Sequence, residues 1–201
     1  MLEVKNLRRS GGKPVSFTLA AGECLAVRGP SGAGKSLLLR ALADLDPHEG
    51  EVVWKGRARS AMPAPAWRRL VGYLPAEPGW WGDGVGEHFQ SWPEALIARL
   101  GLPGDAAAWP ISRPSTGERL RLALARALAM EPEVLMLDEP TSALDQASVA
   151  VVEALVAEKR AQGLAVLWVT HDPAQAARVA RRHLLVSADG AELVDATGAG
   201  A

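Results

Sequence analysis

The chain is poor in whatever would fix it, unaided, outside the cell or in a membrane. It has a single cysteine, Cys24, in 201 residues, so no intramolecular disulfide can form and a reducing compartment suits it. Cys24 lies in the apolar run Cys24-Leu25-Ala26-Val27 and reads as a buried strand residue. No apolar run approaches the roughly 20 residues needed to cross a bilayer. Met1 to Lys5 carries no core of signal-peptide length. The expectation is a soluble, cytoplasmic protein that needs a partner for any role at a membrane. Excess charge is missing too: a net charge of -1 gives no bulk attraction for nucleic acid, and no nucleic-acid partner is expected. Tyrosine (one) and phenylalanine (two) are scarce beside seven tryptophans, so the cluster Trp80, Trp81 and Trp92 asks for an explanation.

What is present suits one α/β domain spanning 1–201, with a core large enough for its length. Short strands are expected at 2–7, 15–19 and 23–28, with Ser10 to Pro14 as the first turn. A glycine-rich loop, Gly29 to Ser36, opens a helix from Leu37 to Leu45, and strands follow at 51–54 and 70–74. From about 76 to 114 prolines, glycines and tryptophans crowd together, and this stretch reads as an inserted, mostly helical lobe with a helix near 93–100. Helices at 118–130, 146–162 and 174–180 alternate with strands at 134–138, 164–169, 183–187 and 191–194, and the tail 196–201 reads as frayed.

One strand end carries unusual chemistry. Val134-Leu135-Met136-Leu137 is a continuous apolar run, as in a parallel strand covered on both faces, and it stops at Asp138-Glu139. Open α/β sheets bind ligands at the carboxyl ends of such strands. Alone, the two acids fit phosphate chemistry with Mg²⁺ and a helix-capping pair equally well.

The upstream loop decides between them. Gly29-Pro30-Ser31-Gly32-Ala33-Gly34-Lys35-Ser36 fits G-x-x-x-x-G-K-[ST] between a strand and a helix. Its glycines let backbone N–H groups curl round a β-phosphate at a helix N-terminus. Lys35 then reaches the β- and γ-phosphates and Ser36 offers its hydroxyl to Mg²⁺. Asp138 becomes the partner of Mg²⁺, and Glu139 the base that orients and deprotonates water.

The Gly29–Ser36 loop, the Ser115-Thr116-Gly117-Glu118 turn, Asp138-Glu139, Ser142-Ala143-Leu144-Asp145 and His171 occur in the order found in the nucleotide-binding subunit of ABC transporters. The whole chain resembles that family. The resemblance implies a P-loop NTPase core of mostly parallel sheet flanked by helices, an N-terminal antiparallel part and the inserted lobe. It implies ATP and Mg²⁺ as ligands and ATP hydrolysis as the activity. Ser115 to Glu118 would cap the γ-phosphate held by the other copy of a head-to-tail homodimer. Asp145 would lie at that seam, and His171 would contact the γ-phosphate. A separate transmembrane permease is the implied partner, which would hold the chain on the inner face of the membrane. Gly82-Asp83-Gly84-Val85, Trp92-Pro93 and Val166 to Asp172 look like the ATPase of bacterial iron-export permeases, with iron or another metal as cargo.

Three positions depart from the family pattern. Ala76 stands where the family has a metal-contacting glutamine, with Glu77 beside it. Pro114 and Thr116 replace the usual leucine and first glycine of the signature. The adenine-stacking aromatic near the N-terminus is missing, leaving Arg8 or Arg9 either to stack by a guanidinium plane or to form a solvated charge pair. The tryptophans at 80–92 fit permease anchors and lobe core equally. Two other functions stay open: a soluble ABC ATPase outside transport, and a weakly hydrolysing regulatory subunit.

Overall fold

A computed structural model describes residues 1–9, 12–187 and 190–195; the expected frayed tail at 196–201 lies outside the described residues, as do Ser10 and Gly11 of the first turn. Three strands open the chain: β1 (Leu2–Arg9), β2 (Val15–Leu19) and β3 (Cys24–Arg28). Helix α1 (Lys35–Leu42) follows, then β4 (His48–Trp54), β5 (Arg57–Ala58), α2 (Ala64–Leu70) and β6 (Val71–Leu74). Beyond the lobe helix α3 (Glu94–Arg99) come α4 (Thr116–Ala129), β7 (Val134–Asp138), α5 (Gln146–Ala161) and β8 (Ala165–Val169). Helix α6 (Pro173–Val179), β9 (Arg182–Ser187) and β10 (Gly190–Asp195) complete the described elements.

Two sheets result. The antiparallel sheet runs β2-β1-β4-β5 and the larger one β10-β9-β3-β8-β7-β6, parallel throughout except for its edge pair β9–β10. Strand β2 alternates buried Val15, Phe17 and Leu19 with exposed Ser16 and Thr18, the pattern of a sheet with one wet face. The central strands bury residues on both faces. Leu25 and Val27 of β3 join a cluster with Leu38, Leu39 and Leu42 of α1. Their neighbours Cys24 and Ala26 face the opposite way, into a cluster that holds Leu122 and Leu124 of α4, Val152 and Leu155 of α5 and Ala176 of α6. Burial of Cys24 pushes its thiol up to about 12, so the only cysteine is an inert core residue.

Helix α1 begins two residues earlier than expected and stops three earlier, because Asp44 takes a left-handed backbone (φ 59) that ends the turn. Helix α2 was not legible because Pro63 and Pro65 open it; proline is tolerated in a first turn, where the missing N–H has no partner anyway.

The lobe corrects the sequence reading. It is not mostly helical: residues 76–114 hold the six-residue α3 and two 3₁₀ turns, Gly86–His88 and Gly104–Ala108, joined by irregular chain. Its prolines and glycines interrupt every candidate helix after a turn or two. The lobe is nonetheless packed, since Val85, Ile97, Leu100, Leu102, Ala106 and Trp109 share a cluster with Leu74, Leu122 and Leu137 of the main body.

Candidate functional site

Strand order brings the candidate residues together. Strands β3, β8 and β7 are neighbours and parallel, so their carboxyl ends lie side by side. Gly29, Thr170-His171 and Asp138-Glu139 leave those three ends in turn, although they are far apart in the sequence.

The loop from Gly29 needs its glycines for different reasons. Gly29 has φ 147, and a Cβ there would run into the Val186 carbonyl oxygen of β9. Gly34 takes φ 89 at the N-cap of α1. The Lys35 ammonium folds back within its own loop and donates to the carbonyls of Gly29 and Pro30, 2.9 Å each. It is 6% exposed, a desolvated cation held by neutral acceptors, which suits it to an arriving phosphate. Pro30, Ser31, Gly32 and Ser36 lie at the loop's accessible rim, with Ala33 half-buried.

Arg8 and Arg9 part ways. Arg8 forms an exposed pair with Glu49 at 2.7 Å. Arg9 donates through Nη1 to the Gly34 carbonyl, so its guanidinium rests on the Gly29–Ser36 loop, and burial lowers its pKa.

At the end of β7, Asp138 is 3% exposed and accepts from the Tyr73 hydroxyl on β6 at 3.1 Å. Burial, reinforced by the Asp138 charge, raises the Tyr73 hydroxyl pKa, so it stays a proton donor to that carboxylate. Nothing in the sequence near Tyr73 announces this role. Glu139 takes a left-handed backbone, φ 52, which costs a residue with a Cβ on the order of 1–2 kcal/mol. Its N–H donates to the Val169 carbonyl at 3.2 Å, its own carbonyl accepts from Ser142 at 3.2 Å, and its Oε1 lies 2.8 Å from His171 Nε2. Both side chains are partly open to solvent.

The donors suit Mg²⁺. Ser36 and Asp138 offer hard oxygens only, and the described residues hold no group of three or more carboxylate, imidazole or thiol ligands. Hard oxygens are the donors Mg²⁺ takes.

The Ser115–Glu118 turn stands apart from the loop: among the described residues no hydrogen bond or ion pair joins the two. It forms a capping box on α4, with Glu118 Oε2 accepting from Ser115 N at 2.8 Å and Ser115 Oγ accepting from Glu118 N at 3.3 Å. The Ser115 backbone and hydroxyl hold the Glu118 carboxyl below the usual range. Thr116 is the exposed first residue of that helix. Gly117 is pressed against the next motif: a Cβ on it would sit 3.1 Å from the Ala143 carbonyl oxygen. Asp145 caps α5, accepting from Ser148 N and Ser148 Oγ at 2.9 Å each, which lowers its pKa. Ala76 and Glu77 are exposed beyond β6, and the Ala76 methyl carries no metal-ligating atom.

The tryptophans split. Trp80 and Trp92 pack half-buried against the core cluster, whereas Trp81 is 75% exposed. The Arg126 guanidinium stacks 4.6 Å from the Trp80 ring and 4.9 Å from that of Trp81. Both rings also meet His88 edge-on. His88 Nε2 accepts from the backbone N–H groups of Trp81 and Gly82, at 2.9 and 3.0 Å.

Comparison with known proteins bears on the family and the fold. The family described as "ABC transporter" matches residues 12–142. The aliphatic sulfonates import ATP-binding protein SsuB 2 of Paracoccus denitrificans is 40% identical over 181 residues, covering 86% of this chain and 69% of its own length. The probable iron export ATP-binding protein FetA of Escherichia coli is 36% identical over 172 residues, covering 79% of this chain and 76% of its own. In fold, the chain superposes on the dimeric post-hydrolysis state of an ATP-binding cassette bound to ADP and Pi, with TM-score 0.80 and 22% identity over 98% of this chain and 99% of that one.

Proposed function

The chain belongs to the ABC transporter family, and from that premise we propose that it is the ATP-hydrolysing subunit that powers a separate membrane permease. It is an ATPase. The observation that carries our assignment of its chemistry is the 2.8 Å pairing of Glu139 with His171 beside the Gly29–Ser36 loop. Lys35 and the loop N–H groups bind the β- and γ-phosphates. Glu139 takes the proton of the attacking water as the water oxygen bonds to the γ-phosphorus and the bond to ADP breaks. His171, held against Glu139, contacts the departing phosphoryl group. Ser36 and Asp138 would hold Mg²⁺, which supplies charge neutralisation on the phosphates.

Residues 1–201 act as one ATPase domain with the lobe at about 76–114 inserted. Two copies pair head to tail around ATP, Ser115 to Glu118 of one copy facing the loop of the other, with Asp145 at the seam. No helix of the described residues is long and apolar enough to cross a membrane, so the permease supplies the span and holds the chain on the cytoplasmic face. Exposed Trp81, with Arg126 behind it, is the anchor toward that permease. Cargo is selected in the permease. Iron or another metal ion is the cargo we favour, from the lobe's likeness to iron-export ATPases and the similarity to the iron export protein.

The test is phosphate release by the chain with and without its co-purified permease, with Lys35→Ala as control. Turnover that Lys35→Ala leaves intact would overturn the assigned site. Failure to recover a membrane protein with the tagged chain would overturn the transport role.

A further inference from the structure

Glu139 is held in a conformation that a residue with a Cβ avoids, and strained backbone persists only where its surroundings over-determine it. The turn that follows, Pro140 to Leu144, is short of local support: its backbone bonds are Ser142 N to the Glu139 carbonyl and Leu144 N to the Thr141 carbonyl, 3.2 and 3.1 Å. Beside the packing of Leu144 on the core and of Ala143 on Gly117, a side-chain hydrogen bond reaches the turn from a residue no motif contains. Gln175 on α6 is 4% exposed, yet it is amide-bearing and polar. Its Nε2 donates to Thr141 Oγ1 and to Glu153 Oε1, both at 3.0 Å, and Thr141 Oγ1 also lies 3.3 Å from Gln175 Oε1. Glu153 on α5 is gripped in turn by Arg178, at 2.9 Å from Nη2 and 3.2 Å from Nε. Burial pushes the Glu153 carboxyl up, and the bonds from Arg178 and Gln175 outweigh it, so the group stays ionised.

The bridge spans the elements that must keep register. His171 precedes α6, whose N-cap is Asp172, so His171 moves with the helix that carries Gln175. Thr141 stands two residues after Glu139, and the same turn leads on to Asp145. A buried amide with every partner satisfied fixes distance and orientation more tightly than apolar packing does.

We propose that Gln175 is a positioning residue for hydrolysis: by clamping Thr141 to Glu153 it holds the Glu139 turn in register with His171. The inference rests on the reading of Glu139 and His171 as the hydrolytic pair. It does not touch nucleotide binding, which the loop carries on another strand. Removing the clamp therefore slows turnover and spares ATP affinity, and a misplaced reacting group costs up to roughly a hundredfold in rate.

The full chain is assayed for ATP turnover, ATP affinity and thermal midpoint as Gln175→Met, Gln175→Glu, and the exchange Gln175→Glu with Glu153→Gln. The expected result is a fall in kcat of about tenfold or more in Gln175→Met, with KM and ATP affinity within about twofold. Gln175→Glu sets two carboxylates face to face and falls likewise, while the exchange, which restores one amide and one carboxylate across the same gap, recovers most of the rate. A folded Gln175→Met with wild-type kcat overturns the proposal. So does an exchange variant that folds as the wild type but stays as slow as Gln175→Glu. Should Gln175→Met fail to melt cooperatively, the comparison of Gln175→Glu with the exchange decides. Glu139→Gln runs beside them: if it turns over normally, the fault lies with the hydrolytic pair, and if it alone is dead, with the clamp.

Discussion

Glu139 Oε1 and His171 Nε2 lie 2.8 Å apart across the ends of two adjacent parallel strands, joined by a contact that spans 32 positions of sequence (171 − 139). Beneath it, the Glu139 N–H bonds the Val169 carbonyl, so strand β8 supports both members of the pair.

Replacing Glu139 by Gln preserves the shape and the contact to His171 while removing the base. Phosphate release is expected to fall by about 10²–10⁴-fold, the usual contribution of a positioned general base. ATP binding survives and an ATP-bound dimer accumulates on size-exclusion chromatography. Wild-type turnover would sink the assignment.

The capping box of α4 predicts an effect on the stability of the isolated chain without nucleotide. Glu118→Ala removes the acceptor of the Ser115 N–H, a loss of about 1 kcal/mol, equal to roughly 2–4 °C in thermal midpoint for a chain of this size. The Glu118 pKa lies below its ordinary value, so the contribution is present above about pH 4.5 and fades as pH falls below that. A midpoint equal to wild type at pH 7 would remove the box from the account of stability.

Glu133 gives the sharpest acid signature. Lys55, Trp54 and Arg57 all donate to its carboxylate and hold it at about 2 against an ordinary 4.5. A depressed carboxylate stabilises the fold above its unfolded value and loses that contribution as pH falls through its folded one. Glu133→Gln should lower the denaturation midpoint at pH 7, and the gap to wild type should close between about pH 4.5 and 2. Salt should shrink the gap, since the cluster is partly exposed. A gap that does not change with pH would place the effect in packing instead.

Trp81 is offered to solvent by a loop that His88 and Arg126 stiffen. Trp81→Ala should weaken association with the permease by about tenfold or more, as expected for an interface anchor, with the thermal midpoint unchanged. Pull-down of the permease by the tagged variant measures it. Undiminished capture would return Trp81 to the ordinary surface.

The strand-end acids, the glycine loop and the both-faces-buried strands were legible from sequence because each is a local pattern. A four-residue apolar run needs two covered faces, and phosphate-cradling glycines need fixed spacing, wherever the chain goes next. In the lobe the helix read near 93–100 is present as Glu94–Arg99, but the prolines and glycines around it allow only two 3₁₀ turns elsewhere, so the lobe is not mostly helical. The split among the tryptophans was equally invisible, because the same side chain serves as core or as anchor depending on what lies opposite.

By itself, then, the sequence determined the class of fold and where the glycine-rich loop and the strand-end acids fall, since these rest on periodicity and on patterns within a few residues. Only the tertiary structure decided which distant groups hold them: Tyr73 on Asp138, Arg9 on Gly34, Gln175 on Thr141, and Gly117 against Ala143. The reason is physical. These contacts join residues 25 or more positions apart, set by the order of strands in a sheet and by the close approach of packed helices. No spacing along the chain encodes them.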